Sequence, residues 1–295
     1  MSLLLKTRSR NSAFTLIELL VVIAIIGVLV SLTSVGVMKI LNRSQMVVAR
    51  VEIGQLEAAV SAAKLNLGNV DELPSRIRLY NTPAGFAGDT VLGVPTANFL
   101  NKAFGKSWQS NATCLWMGPN YPAGSYPVTL TGMEALVFWL GGIRDSNVNF
   151  QGFSADKRTP WDTTTTKRKG PFFEFKQKQI TQTANYYTML TPFGGSYAYL
   201  SNSEYAYFLA NPLDGIVYPY NKTPVGAVTA ASYYNPKTFQ LISSGQDKTF
   251  GSLLPNNLDP TKPIPGGFYK PPYTIGQPIF DDIANFSGLQ LGVAE

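Results

Sequence analysis

The sequence contains no histidine and only one cysteine, Cys114. The lack of histidine excludes Ser-His-Asp and Cys-His catalysis, together with zinc sites that use histidine ligands. A single cysteine excludes an internal disulfide, and its apolar neighbours predict a small, buried side chain. Carboxylate catalysis needs two acidic groups at a defined separation, and Glu134, Glu174 and Glu204 offer no such pair in the sequence. We therefore predict that the protein is not an enzyme.

Charged residues are also scarce, at 14% of the chain, and the formal net charge is +6. Three cations, Lys6, Arg8 and Arg10, belong to an N-terminal leader, so its removal would leave a net charge of +3. The other basic residues are scattered except in residues 157–170, which we interpret as a solvated insertion rather than a binding patch. Nucleic-acid binding requires a basic face, so the charge pattern does not favour it.

One long hydrophobic run follows the leader. From Leu19 to Val30, twelve consecutive residues carry no charged or amide side chain, and only serine and threonine interrupt the apolar pattern up to Met38. A helix of about 20 residues is about 30 Å long, which matches the hydrocarbon core of a bilayer. The run therefore predicts a membrane-spanning helix over residues 14–38.

The helical pattern continues beyond this run. Apolar residues recur at intervals of three and four, which is the spacing of one helix face. They are Met46, Ala49, Ile53, Leu56, Val60, Ala63 and Leu67. Gly68 follows, where a helix commonly ends, so the predicted helix covers residues 14–68. A helix packed only on its own head explains this second half equally well, but it does not explain the first half.

Glu18 lies near the start of the apolar run, where an ionised carboxylate is costly and usually has a specific partner. With the basic leader, the segment Ala13-Phe14-Thr15-Leu16-Ile17-Glu18 resembles the type IV prepilin cleavage signature. The resemblance implies cleavage between Ala13 and Phe14 and N-methylation of Phe14, although Ala13 stands where that family usually has glycine. An uncleaved signal anchor with an isolated glutamate is the alternative.

The resemblance to type IV pilin-like proteins also implies partners and a location. A prepilin peptidase would remove residues 1–13, and an inner-membrane assembly platform would extract the subunit into a filament of copies of itself. Before assembly, the subunit would span the bacterial inner membrane once, with its head in the periplasm or outside. In the filament, Glu18 would pair with the Phe14 amine of a neighbouring subunit and so specify the axial register.

The remaining residues, 69–295, are predicted to form a globular extracytoplasmic head. Residues 132–140 predict a helix, whereas 194–201 and 238–243 predict strands. Residues 74–127 read mostly as loop, with brief structured pieces. The predicted fold class is α+β: a pilin-like long N-terminal helix, membrane-spanning in its first half and packed on a head with a small antiparallel β-sheet.

Four head segments resemble the major pseudopilin of type II secretion, in the same order along the chain. They are Gly132-Met133-Glu134-Ala135-Leu136-Val137, Pro192-Phe193-Gly194-Gly195-Ser196-Tyr197, Phe239-Gln240-Leu241-Ile242-Ser243-Ser244-Gly245-Gln246-Asp247 and Asp281-Asp282-Ile283-Ala284-Asn285-Phe286. The resemblance implies a major-pseudopilin-like subunit of a secretion pseudopilus. A type IV pilus subunit is one alternative. A membrane-anchored protein that does not polymerise, and whose head binds a carbohydrate or another envelope component, is the other.

In those pseudopilins, a loop after the last strand binds calcium in place of a disulfide. By resemblance, Asp247 and Asp282 would supply carboxylates here, and Leu241 and Ser244 would supply carbonyl oxygens. The chemistry suits Ca²⁺, which takes roughly six to eight oxygen ligands. The alternative is that Asp247 is a turn residue and that Asp282 caps a turn or a helix.

Overall fold

The structure is a computed structural model, and its described residues divide into two compact units. They are residues 16–119, 121–145, 149–205, 209–211, 215–217, 219–221, 233–248, 250, 268–269 and 283–286. The first unit covers Met1–Ser44 and the second covers Gln45–Glu295. The described secondary structure mixes helices with short, mainly antiparallel sheets, so the predicted α+β class is confirmed.

Four α-helices are described, and the first is far longer than the others at 51 residues. They are α1 Leu16–Asn66, α2 Pro83–Gly88, α3 Gly93–Phe104 and α4 Met133–Gly141. Short 3-10 helices cover Lys106–Ser110, Ala123–Ser125, Gln177–Gln179 and Asn202–Glu204. Because α4 matches the helix predicted over residues 132–140, that prediction is confirmed.

The described strands are two to five residues long. They are β1 Arg76–Leu79, β2 Val128–Thr131, β3 Phe153–Ser154, β4 Arg168–Lys169, β5 Ile180–Gln182, β6 Tyr187–Met189, β7 Tyr197–Ser201, β8 Leu209–Asn211, β9 Gly215–Val217, β10 Tyr220–Asn221, β11 Phe239–Ser243, β12 Phe268–Tyr269 and β13 Ile283–Ala284. The pairs β1–β2, β3–β4, β5–β6 and β8–β9 are antiparallel, whereas β10–β12 is parallel.

Within the second unit, the C-terminal part of α1 buries one face. The predicted apolar stripe from Ala49 to Leu67 is buried in the main hydrophobic core, and Met46 packs against it, half-buried. Residues three and four apart share a face of a helix, so one side of α1 is covered by the head. The predicted periodicity is therefore confirmed for this half of the helix.

A three-stranded antiparallel sheet in the order β13-β11-β7 lies at the centre of the head. Tyr197 and Tyr199 on β7 belong to the main core, whereas Ala198 and Leu200 belong to a second hydrophobic cluster. Successive residues of a strand point to opposite faces, so both faces of this sheet are buried. The main core covers one face of the sheet, and the second hydrophobic cluster covers the other.

Residues 74–127 are more ordered than their sequence indicates. They contain β1, α2, α3 and two 3-10 helices, and bury Phe86, Leu100 and Trp108. The Thr82 hydroxyl accepts a hydrogen bond from the Gly85 amide and caps α2. The predicted brief structured pieces are confirmed, among them residues 96–104 within α3, but together they occupy more of the segment than predicted. Its short helices pack aromatic side chains into the core instead of showing a long periodic pattern.

Two smaller predictions concern Cys114 and the basic segment 157–170. Cys114 is free and buried, as predicted, and burial raises the pKa of its thiol to about 12. In the basic segment, the Arg168 guanidinium donates hydrogen bonds to the carbonyl oxygens of Gln151, Gly152 and Asp162. At least one cation of this segment therefore holds neighbouring backbone together, which favours the interpretation of a structural insertion over that of a binding patch.

Candidate assembly site and calcium site

Of the two residues predicted to act in assembly, Glu18 and Phe14, the structure describes Glu18. It lies in the first turn of α1 and is exposed. A helix N-terminus carries partial positive charge, so a carboxylate in the first turn is favoured by about 0.3–1 kcal/mol. Ala13 and Phe14, the predicted cleavage and methylation residues, lie outside the described residues.

The helix around Glu18 exposes apolar side chains on every side. Between Leu16 and Val30, the large apolar side chains are exposed by 46% to 82%. A helix that is apolar all round is normally covered by lipid or by other helices. Among the described residues, no helix combines the length and the apolar character needed to cross a membrane. The predicted membrane-spanning segment is therefore not confirmed by the structure.

The predicted calcium ligands are described in part. Leu241 lies in β11, Ser244 is buried just after that strand, and Asp247 is exposed in the turn that follows. Asp282 lies outside the described residues. Within the described ranges, no group of three or more histidine, cysteine, aspartate or glutamate residues is placed to hold a metal ion. The calcium site stays a prediction.

The predicted ligand atoms that the structure describes suit a hard cation. All are oxygen atoms, and calcium prefers carboxylate and carbonyl oxygens. The Leu241 carbonyl accepts a 3.0 Å hydrogen bond from the backbone N–H of Asn285, but a carbonyl oxygen has a second lone pair. The Ser244 hydroxyl is buried and has no hydrogen-bond partner among the described residues. An unsatisfied buried oxygen beside this loop is compatible with a bound cation.

A buried carboxylate on α1 joins three distant parts of the head. Glu52 is only 2% exposed, and its oxygens accept hydrogen bonds from the Tyr197 hydroxyl at 2.9 Å and the Gln179 amide at 2.8 Å. The Lys176 ammonium pairs with the same carboxylate at 3.2 Å. Burial and the negative charge of Glu52 raise the pKa of Tyr197 well above its ordinary value. We call these four residues the Glu52 cluster.

The position of Glu52 in the sequence indicates a buried polar cluster, although helical periodicity alone does not. Glu52 lies three residues after Ala49 and four before Leu56, so it is on the edge of the buried stripe. Lys and Glu are almost never fully buried unless they are paired. A glutamate at this position of an apolar face therefore predicts a partner, although not which one.

Asn285 connects the last described strand region to both β11 and α1. Its side-chain amide nitrogen donates a 2.8 Å hydrogen bond to the Glu57 carboxylate. Its side-chain oxygen accepts a 3.0 Å hydrogen bond from the Leu241 amide. This asparagine belongs to the segment Asp281–Phe286, which the sequence indicates by its resemblance to the major pseudopilin and by the predicted ligand Asp282. Its contacts give that segment a structural role as well.

Glu134, in the first turn of α4, is another buried carboxylate. Its oxygens accept hydrogen bonds from the Thr183 hydroxyl and the Thr131 amide. Burial raises the pKa of Glu134 above its ordinary value of 4.5, and these two hydrogen bonds oppose the shift. A raised pKa means that the folded protein binds the proton more tightly than the unfolded chain does. The stability from Glu134 is therefore full below pH 4.5 and is lost as the pH rises through the folded-state pKa.

We expect Glu134→Gln to stabilise the protein at neutral pH and to lose this advantage in acid. The amide cannot ionise, and its oxygen and nitrogen can still bond to Thr131 and Thr183. Calorimetry of the full chain between about pH 4 and about pH 8 should show a difference in melting temperature that widens as the pH rises. Glu174→Gln, at an exposed carboxylate, is the matched control and should show no such trend. A constant difference at all pH values would contradict the burial argument.

Comparison with protein-family models identifies the prokaryotic N-terminal methylation motif at residues 8–34. This motif is the signature of type IV pilin-like proteins, so the predicted prepilin-type signature is confirmed. No curated protein and no solved structure matches the chain. The motif indicates processing by a prepilin peptidase, assembly into a filament and a membrane-associated origin. The head lies outside the matched residues.

Proposed function

We propose that this protein is a structural subunit of a type II secretion pseudopilus, similar to its major pseudopilin. A prepilin peptidase cleaves it between Ala13 and Phe14, and Phe14 becomes the methylated N-terminus. An inner-membrane assembly platform then transfers the subunit into a filament built from copies of this chain. The observation that carries the proposal is the methylation motif over residues 8–34, which includes Glu18 at the start of an exposed apolar helix.

The exposed apolar part of α1 supports a role in assembly. Lipid and packed helices are the two surroundings in which such a helix loses its contact with water. In the proposed cycle, residues 14–38 lie first in the inner membrane, with the head on the periplasmic side, and then among neighbouring helices of the filament. Transfer from one apolar environment to another avoids exposing this surface to water.

The head motifs support the choice of a pseudopilus over a surface pilus. Three of the four segments meet in one sheet. Strand β7 begins at Tyr197, the last residue of the second segment, β11 lies in the third segment and β13 lies in the fourth. Helix α4, from the remaining segment, is buried and contributes to the same main core as Tyr197 and Tyr199. The four segments resemble one family and also pack together, so we interpret them as one structural unit and not as four unrelated similarities.

A structural role also agrees with the surroundings of the head carboxylates. Glu134 is occupied by its hydrogen bonds to Thr131 and Thr183, and Glu204 forms a 3.2 Å ion pair with Arg76. Burial raises the pKa of Glu204, while the Arg76 charge opposes that shift. Both carboxylates therefore form structural contacts inside the head, and this favours a protein without catalytic activity.

Mass spectrometry of the N-terminus, on protein purified from native membranes, tests the proposed processing. The expected result is a mature chain that begins at methylated Phe14. An intact chain that begins at Met1 would instead support a permanent membrane anchor that does not polymerise. Ala13→Leu should block cleavage if a small residue before the cut is required, whereas Ser12→Ala, one residue away, should not.

We also propose that calcium binds the loop after β11 through Asp247, Asp282 and the carbonyl oxygens of Leu241 and Ser244. The ion would tie this loop to the C-terminal segment and take the place of a disulfide. Calcium at about 100 times its dissociation constant should then stabilise the folded protein by about 2.7 kcal/mol. Thermal unfolding of the full chain in calcium and in EGTA measures this effect.

Matched variants make the calcium prediction specific. Asp247→Asn should remove the calcium-dependent rise in melting temperature, whereas Asp156→Asn, at an exposed aspartate elsewhere, should keep it. Magnesium should not replace calcium, because it requires a smaller and more rigid octahedral site. The proposed ligand set is wrong if the melting temperature is the same in calcium and EGTA, or if Asp247→Asn leaves the rise intact.

A further inference from the structure

A groove of about 700 Å³ opens on the head. It lies between the β-bridge that joins Arg144 to Phe150, the β5–β6 hairpin and residues 171–175. Its volume falls within the range of about 300–1,000 Å³ that is typical of small-molecule sites. None of the functional assignments above uses this groove.

Four aromatic rings and one guanidinium form a continuous wall of the groove, which we call the aromatic wall. The ring centroids of Phe173 and Phe175 are 4.9 Å apart, and those of Phe175 and Phe150 are 5.0 Å apart. The Arg144 guanidinium lies 4.8 Å from the centre of the Phe150 ring and 3.6 Å from that of Tyr187. These contacts hold the rings and the guanidinium in one surface.

The aromatic wall is half-buried, which distinguishes it from the aromatic core of the head. Trp108, Trp116 and Trp139 are fully buried, so the fold has room in its core for large rings. Contact between water and apolar ring surface is unfavourable, and contiguous exposed apolar patches mark sites of interaction. The aromatic wall therefore indicates a surface that another molecule covers.

Polar groups in the same groove define the chemistry of that molecule. Among the described residues, one cation, Arg144, and one carboxylate, Glu174, line it together with the amides of Asn149 and Gln177. The two charges cancel, so the lining does not select a charged ligand. An acyl chain would remove water from these polar groups without replacing its hydrogen bonds. The balance favours an uncharged ligand that is rich in hydroxyl groups.

We propose that the groove binds a neutral saccharide. A sugar ring has apolar C–H faces, which stack on Phe173, and hydroxyl groups, which both donate and accept hydrogen bonds. The Glu174 carboxylate accepts from these hydroxyls, and the Asn149 and Gln177 amides do both. The proposal rests on head residues alone, so it is independent of filament assembly.

The test measures binding of cellohexaose, maltohexaose and chitohexaose to the full chain. Calorimetry and saturation-transfer NMR should be done in a detergent without a sugar headgroup, because such a headgroup would compete for the groove. At least one hexasaccharide is expected to bind. Phe173→Ala removes a stacking ring and Glu174→Gln removes a charged acceptor, so each should weaken that binding about tenfold.

Two controls separate the groove from the rest of the surface. Val91→Ala changes an apolar side chain that is 69% exposed outside the groove, and Lys178→Gln removes an exposed charge that does not line it. Both should bind as the wild type does, and all four variants should still unfold in one cooperative thermal transition, with a lower melting temperature expected only for Phe173→Ala, whose ring packs against the core. The proposal is overturned if none of the three hexasaccharides binds, if Phe173→Ala and Glu174→Gln bind normally, or if an apolar peptide binds the groove while the saccharides do not.

Discussion

Replacing Glu18 with alanine should leave the protein cleaved and in the membrane fraction while its filaments fall below detection. In the proposed filament, this carboxylate neutralises the Phe14 ammonium of the next subunit inside an apolar bundle. Removal of one partner from a buried ion pair costs about 3–5 kcal/mol, because the other charge is left unpaired. Each subunit contact would then weaken by a factor of roughly 100 or more. Since every contact along the filament carries the defect, the loss is not confined to one joint.

Two conservative variants separate charge from shape. Glu18→Gln keeps the size of the side chain and its hydrogen-bonding oxygen but not the charge, so it should fail nearly as completely as Glu18→Ala. Glu18→Asp keeps the charge on a shorter side chain and should restore part of the assembly. The measurements are electron microscopy of sheared filaments and quantitative immunoblotting of the sheared and membrane fractions.

Ser31→Ala is the control on the same helix. The Ser31 hydroxyl donates a 2.8 Å hydrogen bond to the Val28 carbonyl, within its own helix, so its removal should leave assembly unchanged. Normal filaments from Glu18→Ala would refute the pairing role of the carboxylate. If Glu18→Ala were not cleaved, the loss of filaments would reflect processing, and Glu18→Gln on a pre-cleaved chain would decide between the two.

Replacing Glu52 with alanine should destabilise the head by about 3 kcal/mol, which corresponds to a fall of about 10 °C in melting temperature. The substitution leaves the buried Tyr197 hydroxyl and the Gln179 amide without their shared acceptor. Removing the acceptor of buried hydrogen bonds while the donors stay in place is more costly than removing both partners. It also opens a cavity between α1 and β7 within the second unit.

The control for Glu52 is its charged partner. The Lys176 side chain is 68% exposed, so Lys176→Ala removes a solvated ion pair and should cost less than about 1 kcal/mol. A double-mutant cycle of Glu52→Ala with Tyr197→Phe isolates the buried hydrogen bond, and thermal unfolding of the full chain is the measurement. Equal effects of Glu52→Ala and Lys176→Ala would show that the buried bonds contribute little.

Local features of the sequence were sufficient to predict that both halves of α1 are helical, whereas the membrane-spanning role of the first half is not confirmed. The buried stripe from Ala49 to Leu67 follows from helical periodicity, which is a property of neighbouring residues. The position of α4 also follows from a short apolar run that ends at two glycines. Residues 74–127 contain more secondary structure than their sequence predicts, because their helices are short, and in such helices packing of single aromatic side chains outweighs any periodic pattern.

The sequence alone determined three features: the N-terminal methylation motif, the carboxylate within it and the long helix that follows. Each of them depends on adjacency or spacing along the chain. The partners of Glu52 and Glu57 were decided only by the tertiary structure. Tyr197 lies 145 residues from Glu52, and Asn285 lies 228 residues from Glu57. Contacts over such separations form because the folded core brings the segments together, and no local pattern specifies which buried donor meets which carboxylate.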